Sequence, residues 1–263
     1  MTECTKEKIG VFLTRPLPQS RRIAKKMEQL SVVPFIFPVL EIQQPNDIDG
    51  FHRSLQNLSH VSLLIFVSVA AVSAFAQGLK RLGLIMPRSL QVAVLGHRSA
   101  QECRAWGIEV SYLPSQTHDS EGLIRRLANG QWAGKQVVIY RGQEGRELLR
   151  EQLLSWGANV HYVEAYRRSL TSASPSEVID SWRLGKIQVV LVTSQSIVDG
   201  LFDLLGQANI DLVETTPVIT ISERIAKYCR SRGMRAKIWV TASPGDEDVL
   251  ACIDAVVAQM LAK

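Results

Sequence analysis

The residues best suited to bind an anion lie in the middle of the sequence, directly after an apolar run. Residues 137–140, Val-Val-Ile-Tyr, predict a buried strand, and the sequence RGQEGRE follows before a helical pattern begins. A glycine-bearing turn between a strand and a helix is a common phosphate site, because backbone N–H groups and the helix dipole point at the ligand. Arg141 and Arg146 add guanidinium groups, which suit carboxylates.

A nucleotide phosphate is not the ligand that this turn predicts. The chain has no G-x-x-x-x-G-K-[ST] loop, and RGQEGR supplies only two of the three glycines of a G-x-G-x-x-G fingerprint. Gly142 and Gly145 have a simpler structural explanation, which is that they allow a tight turn from strand to helix. We therefore expect no cofactor phosphate at this turn.

An internal repeat runs through the whole chain. When the sequence is shifted by 126 residues it realigns without a gap, so that Arg15 falls on Arg141 and Ser68 falls on Ser194. The same offset places HRSAQECRAWG, from His97, on ERIAKYCRSRG, from Glu223. One offset that serves several separated segments indicates two copies of one structural unit.

Within each copy, short apolar strands alternate with helical patterns. This alternation is typical of parallel sheets covered on both faces, so we predict two doubly wound α/β domains. In the first copy the expected helix 99–106 ends at Gly107, and Ser120 is expected to cap the next helix. The predicted strands of this copy are 9–13, 33–37, 63–67, 92–95 and 110–113, and the predicted helices are 18–30, 69–82, 99–106 and 120–129.

Each copy should present the same few positions to a ligand. Doubly wound sheets bind ligands at the carboxyl ends of their strands, where helix N-termini also lie. Those positions carry arginine after the first strand, serine after the third, and glycine or serine after the fourth. The residues concerned are Arg15 and Arg141, Ser68 and Ser194, and Gly96 and Ser222.

Composition is that of an ordinary globular protein with a mild positive charge. The chain has 263 residues, and Lys and Arg outnumber Asp and Glu by 30 to 25, which favours an acidic ligand but not nucleic acid. The four cysteines lie far apart, with no metal spacing to the five histidines, which predicts reduced thiols and no metal. The sequence has no signal-peptide core and no membrane-length apolar run, so we expect a cytoplasmic protein.

Segments along nearly the whole chain resemble those of one protein family. They include VFLTRPLPQS, AVLGHRSAQECRAWGIEV, LVTSQSIV and SPGDEDVL, and the most specific is RGQEGRELLREQLLSWGANVHYVEAYRR. In these segments the sequence resembles the uroporphyrinogen-III synthase family. The resemblance implies two flavodoxin-like domains joined by a two-stranded linker. The first would comprise residues 1–37 and 169–263 and the second 41–164, with linker strands at 38–40 and 165–168.

The reaction implied by the resemblance is the closure of hydroxymethylbilane, a linear tetrapyrrole, to uroporphyrinogen III in haem biosynthesis. Water leaves and the terminal ring D is inverted, without any cofactor. A monomer is expected, with the upstream hydroxymethylbilane synthase as a possible partner and with neither nucleic acid nor membrane. A two-lobed binding or regulatory module for an anionic ligand is the alternative, since paired α/β lobes also describe small-molecule receptors.

Tyr166 matches the family's tyrosine at the end of a linker strand, where its hydroxyl would protonate the leaving group. The alternative is a tyrosine that only packs the linker. Arg15, Arg141 and Arg146 would bind substrate carboxylates, or would instead pair with linker acids such as Glu41 and Glu164.

Hydroxyl-bearing turns of the family supply the other expected contacts. Ser99 replaces a frequent threonine conservatively, whereas Ile225 stands where a threonine is common and leaves backbone N–H groups as the donors there. The predicted substrate-binding residues are Arg15, Ser68, Gly96, Ser99, Arg141, Gly142, Arg146, Thr193, Ser194 and Ser222.

Overall fold

A computed structural model of the chain describes residues 8–115, 117–143 and 145–262. The chain divides into two compact units. Unit 1 comprises Met1–Glu41 and Ser169–Lys263, and unit 2 comprises Ile42–Arg168. Glu144, in the middle of the RGQEGRE segment, lies outside the described residues.

Strands and helices alternate along the described chain. The strands are β1 (Ile9–Leu13), β2 (Val32–Ile36), β3 (Leu40–Gln43), β4 (Leu63–Phe66), β5 (Gln91–Val94), β6 (Gln136–Gly142), β7 (Asn159–Leu170), β8 (Val189–Val192), β9 (Val218–Thr220) and β10 (Ile238–Val240). The helices are α1 (Leu17–Lys26), α2 (Ile48–Gln56), α3 (Val69–Leu82), α4 (His97–Ala105), α5 (Ser120–Leu127), α6 (Leu148–Ser155), α7 (Ser176–Arg183), α8 (Gln195–Leu205), α9 (Ile210–Thr215), α10 (Glu223–Ser231) and α11 (Asp246–Leu261).

Unit 1 is built on a parallel sheet in the order β2-β1-β8-β9-β10. Alternate residues of its strands enter two different apolar clusters. Phe12 and Val190 pack with residues of α7, α8 and α10, whereas Val11 and Leu191 pack with residues of α1 and α11. Because both faces are covered by helices, the central strands are apolar at nearly every position.

Unit 2 has a five-stranded sheet in the order β5-β4-β6-β7-β3, in which β5-β4-β6-β7 corresponds to β9-β8-β1-β2 of unit 1 and the fifth strand lies at the opposite edge. Phe66 and Tyr140 lie in a cluster with residues of α2, α3 and α4, while Ile65 and Ile139 pack with residues of α5 and α6. The rings of Phe66, Phe75 and Tyr140 contact one another at centroid distances of 5.0 to 5.6 Å. These aromatic contacts fix α3 on the sheet directly below the end of β4.

The pairing registers of the two sheets follow one numerical offset. Val11 pairs with Val189 in unit 1, and Val137 pairs with Leu63 in unit 2, so that each partner is displaced by 126 residues. The same holds for β1 with β2 and β6 with β7, where Val11 opposes Pro34 and Val137 opposes Val160. Helices α4 and α10 also begin and end at positions with this separation.

Three local predictions need correction. The expected strand 110–113 is only an isolated bridge between Ala93 and Tyr112, and Pro114, which cannot donate a hydrogen bond, follows shortly after it. Helix α4 begins at His97 because Gly96 takes the extended N-cap conformation. The cap of α5 is Asp119, not Ser120, since its carboxylate accepts a 2.7 Å hydrogen bond from the N–H of Gly122.

Two other local predictions are confirmed. Helix α3 has the predicted bounds, and Gly107 follows α4 with φ of 72°, the left-handed conformation that ends many helices. No helix among residues 8–115, 117–143 and 145–262 has both the length and the apolar composition needed to cross a bilayer.

Substitution of Gly200 tests how closely α8 approaches the segments next to it in unit 1. A Cβ atom at Gly200 would lie 2.6 Å from Val39 Cγ1 and 2.9 Å from Leu170 Cδ2. We expect Gly200→Ala to destabilise the protein by about 1–2 kcal/mol, because overpacking outweighs the gain in helix propensity. Urea unfolding measures the change. The exposed Ser196→Ala in the same helix is the control and should be neutral or slightly stabilising, and equal stability of the two variants would contradict the close approach.

Candidate functional site

Helix N-termini lie at the carboxyl ends of the strands in both units. Ser68 Oγ accepts a 3.2 Å hydrogen bond from the N–H of Ala71 at the start of α3, and Ser194 Oγ accepts one of the same length from Ile197 at the start of α8. Ser222 caps α10 in the same way, whereas Gly96 precedes α4 with no side chain to cap it. Each unit therefore presents two helix N-termini that favour negative charge.

Tyr166 and Ser68 form a hydroxyl pair in unit 2. Tyr166 lies near the end of β7 with 4% of its surface exposed, and its Oη is 3.1 Å from Ser68 Oγ. Because Ser68 Oγ already accepts the Ala71 N–H, its own proton can be donated to Tyr166. This orientation leaves the phenolic proton available to a third group. The structure thus brings together two residues that the sequence placed 98 positions apart.

Gly142 lies against the ring of Tyr166. The two residues oppose each other in the pairing of β6 with β7, where the register shifts between Arg141 and Gly142. A Cβ atom at Gly142 would lie 3.0 Å from Tyr166 Cζ and 3.2 Å from its Oη. Gly142 is not among the glycines with a positive φ, so a left-handed backbone is not what requires glycine there. At Gly142 the reason is the close approach of an aromatic ring.

Arg141 is buried at the end of β6 and holds the turn that follows. Its Nη1 donates to Glu147 Oε1 and its Nη2 to the carbonyl oxygen of Gly145, each at 3.0 Å. Its guanidinium carbon lies 4.4 Å from the ring centroid of Tyr162, which is within the range of a cation–π contact. A Cβ at Gly145 would lie 3.1 Å from this guanidinium, so the second glycine is also a site of close approach.

The two other predicted arginines also have acid partners. Arg15 is 3% exposed and donates to Asp246 at 3.1 Å, and Asp246 accepts a second bond of 2.7 Å from Arg22. Arg146 forms a two-pronged pair with Glu121 on the surface, and this hydrogen bonding lowers the pKa of Glu121.

These partners were not expected from the sequence. Asp246, Glu147 and Glu121 differ from Glu41 and Glu164, the linker acids named as the alternative. Glu41 instead accepts a hydrogen bond from Thr171 Oγ1. An acid at the start of a helix was the available signal for Asp246, because it precedes an apolar run in SPGDEDVL.

The remaining predicted residues differ in accessibility. Thr193 and Ser194 are half-buried at the end of β8, but Ser99 is 6% exposed within the first turn of α4. Ser99 is therefore poorly placed to contact a ligand directly. Thr14, which the sequence reasoning missed, is buried and donates to the carbonyl oxygen of Leu191, joining the ends of β1 and β8.

The described residues give little support to a cysteine nucleophile or to a metal site. Burial raises the pKa of Cys103 to about 12 and that of Cys229 to about 11, so both thiols stay protonated at neutral pH and are poor nucleophiles. Within the part of the chain that the structure describes, no three His, Cys, Asp or Glu side chains are grouped as metal ligands would be.

Known proteins of one family match this chain. The family model of uroporphyrinogen-III synthase HemD matches residues 21–251. The uroporphyrinogen-III synthase of Escherichia coli is 27% identical over 86% of this chain and 92% of its own length. A putative uroporphyrinogen-III synthase of Methanothermobacter thermautotrophicus is also 27% identical, over 80% of this chain and 83% of its own.

Solved structures show the same fold. A uroporphyrinogen III synthase from Thermus thermophilus superposes with a TM-score of 0.59 at 16% identity, covering 96% of this chain and 99% of its own. The enzyme from Helicobacter pylori gives the same TM-score and identity, covering 95% and 99%. Since the family model spans most of the sequence and the fold agrees, this chain belongs to the uroporphyrinogen-III synthase family.

Proposed function

We propose that this protein is a cyclising lyase that closes hydroxymethylbilane to uroporphyrinogen III, with loss of water and inversion of ring D, in haem biosynthesis. Membership of the family supports the reaction. The observation that carries its chemistry is the Tyr166–Ser68 hydroxyl pair at the N-terminus of α3.

The protein must direct a ring closure of the bilane that also occurs without an enzyme. Without an enzyme the bilane closes with no inversion, so the site must select the pyrrole carbon that attacks. Loss of the terminal hydroxyl gives an azafulvene, which then reacts through a spiro intermediate. Holding the chain in the reactive geometry supplies rate and selectivity. An acid at the leaving hydroxyl contributes roughly 10²- to 10⁴-fold more.

Tyr166 is the proposed acid and Ser68 its support. Tyr166 Oη gives its proton to the departing hydroxyl, which leaves as water. Ser68 Oγ–H then donates to the phenolate oxygen at the 3.1 Å separation of the resting pair. The positive end of the α3 dipole, to which Ser68 is bound through Ala71, stabilises the new negative charge.

The eight carboxylates of the substrate require many donors. We assign them to the free backbone N–H groups at the starts of α3, α4, α8 and α10, beside Ser68, Gly96, Ser194 and Ser222. The arginines have different roles in this proposal. Arg146 is exposed and can exchange Glu121 for a substrate carboxylate at little cost, whereas the buried Arg15–Asp246 pair would lose its compensation if it opened.

We also infer that the 126-residue offset records a duplicated unit. Equal pairing registers in the two sheets and equal bounds of α4 and α10 support this. The predicted domains, 1–37 with 169–263 and 41–164, follow the same duplication, and their proposed linkers 38–40 and 165–168 lie next to or within strands that cross the unit boundaries.

A cytoplasmic monomer that takes its substrate from hydroxymethylbilane synthase completes the proposal. Rapid transfer is advantageous because free bilane closes to the uninverted isomer. The alternative of an anion-binding or regulatory module predicts affinity without turnover, so the same assay separates the two.

The reaction is tested by giving the purified protein freshly prepared hydroxymethylbilane. We expect the type III isomer as the main product, because the bound geometry selects the inverted closure. Chromatography of the oxidised porphyrins resolves the isomers, and a sample without protein gives the type I background. Formation of type I alone would overturn the proposed function.

Tyr166→Phe tests the acid. Loss of the hydroxyl should lower kcat roughly 10²- to 10⁴-fold, because the leaving group is no longer protonated by the enzyme. The matched control is Tyr140→Phe, which removes a buried hydroxyl bonded to Ser54 at 2.9 Å in the same unit. Both variants should lose about 1 kcal/mol of stability, but Tyr140→Phe should keep its kcat. Full activity of Tyr166→Phe would exclude the acid role.

A comparison of Ser68→Ala with Ser194→Ala separates the effect of losing a helix cap from an effect on catalysis. Ser68→Ala and Ser194→Ala each remove an N-cap with a 3.2 Å bond, so each should cost about 1 kcal/mol in urea unfolding. Within the described residues, Ser68 also forms a hydrogen bond with a tyrosine hydroxyl, that of Tyr166. Loss of that bond to a developing charge should lower kcat by roughly ten- to a hundredfold in Ser68→Ala. A smaller drop in kcat than in Ser194→Ala would contradict the support role.

A further inference from the structure

Gly142 lies so close to Tyr166 that it affects where the proposed acid can be placed. The motif placed Gly142 among the substrate-binding residues. In the structure its α-carbon faces the hydroxyl-bearing edge of the Tyr166 ring, and a methyl group there would stand 3.0 Å from Cζ, 3.1 Å from Cε2 and 3.2 Å from Oη. All three distances are shorter than ordinary carbon contacts.

We propose that Gly142 is a positioning residue for Tyr166: the absence of a side chain at Gly142 lets the phenol lie flat enough on β6 for its hydroxyl to reach Ser68. This inference rests on the proposed role of Tyr166 as the acid. The ring has little freedom to retreat, because Tyr166 is 4% exposed and belongs to the same apolar cluster as Phe66 and Tyr140.

Arg141 holds Gly142 in this place. The register of β6 and β7 shifts between Arg141 and Gly142, so regular strand pairing does not by itself fix the position of the glycine. The Arg141 guanidinium instead binds the carbonyl oxygens of Gly142, at 3.3 Å, and of Gly145, at 3.0 Å. Its charge is balanced by Glu147 and its face rests on Tyr162. The turn is thus folded around a buried cation.

Gly145 and Gly142 therefore both affect the position of the Tyr166 hydroxyl. Gly145 leaves room for the guanidinium of Arg141, the guanidinium fixes the backbone of Gly142, and Gly142 leaves room for Tyr166. The hydrogen bond between Ser68 and Tyr166 depends on both glycines, and its 3.1 Å length leaves little margin before it breaks. A displacement of a few tenths of an ångström is enough to weaken it.

Gly142→Ala tests the assignment through the split between kcat and KM. Moving the phenol should lower kcat about tenfold, since small misplacements of reacting groups are costly, and should leave KM unchanged. A residue that bound the substrate carboxylate would instead raise KM. Tyr140→Phe, the control that loses a buried hydrogen bond without displacing Tyr166, should leave kcat unchanged.

A double-mutant cycle gives the decisive result. In the Tyr166→Phe background, Gly142→Ala should have no further effect on kcat, because the hydroxyl that it displaces is absent. Independent, multiplied losses would overturn the proposal, as would an unchanged kcat in the single variant. If Tyr166→Phe keeps full activity while the wild type makes the type III isomer, the acid role fails and the family reaction stands.

If Gly142→Ala folds poorly, a second variant and a structural measurement still test the proposal. Gly145→Ala acts one step earlier, on Arg141, and should lower kcat in the same direction by a smaller factor. The ζ-¹³C NMR signal of Tyr166, assigned by its loss in Tyr166→Phe, should move in both glycine variants because the hydroxyl loses its partner. An unmoved signal in a folded variant would refute the contact without any measurement of activity.

Discussion

Parallel pairing of the strands is the constraint on which both sites depend. When all carboxyl ends lie at one edge of a sheet, each following helix begins at that edge and directs its free N–H groups to the same side. Ser68 and Gly96 in unit 2, and Ser194 and Ser222 in unit 1, hold their positions for this reason. Binding of many carboxylates then needs few charged side chains, which agrees with the modest excess of basic residues.

Positions of the two units that are 126 residues apart lie at similar places in the fold but have different partners. Arg15 and Arg141 both follow a first strand, yet Arg15 is paired with the buried Asp246 and Arg141 with the half-exposed Glu147. Ser68 and Ser194 cap helices with nearly the same backbone angles, but within the described part of the chain it is Ser68 that also bonds to a tyrosine. In our proposal the acid therefore belongs to unit 2.

The packing of neighbouring helices differs between the units in a similar way. In unit 1, Tyr228 on α10 donates to Asp199 on α8 at 2.7 Å. At the corresponding positions of unit 2, Ser73 on α3 donates to Glu102 on α4 at 2.6 Å. The acid lies on α8 in unit 1 and on α4 in unit 2, and either arrangement satisfies both polar groups where the two helices meet.

The sequence by itself determined the fold class, most of the strands and helices, and the residues that stand at the carboxyl ends of the strands, because apolar periodicity, caps and strand ends are local properties of the chain. It also placed Tyr166 through the family motif. Only the tertiary structure decided what Gly142 does, since the ring it accommodates lies on a neighbouring strand and no local pattern records that contact. The arginine partners were likewise decided by packing: Asp246 reaches Arg15 across 231 residues because α11 begins beside the end of β1.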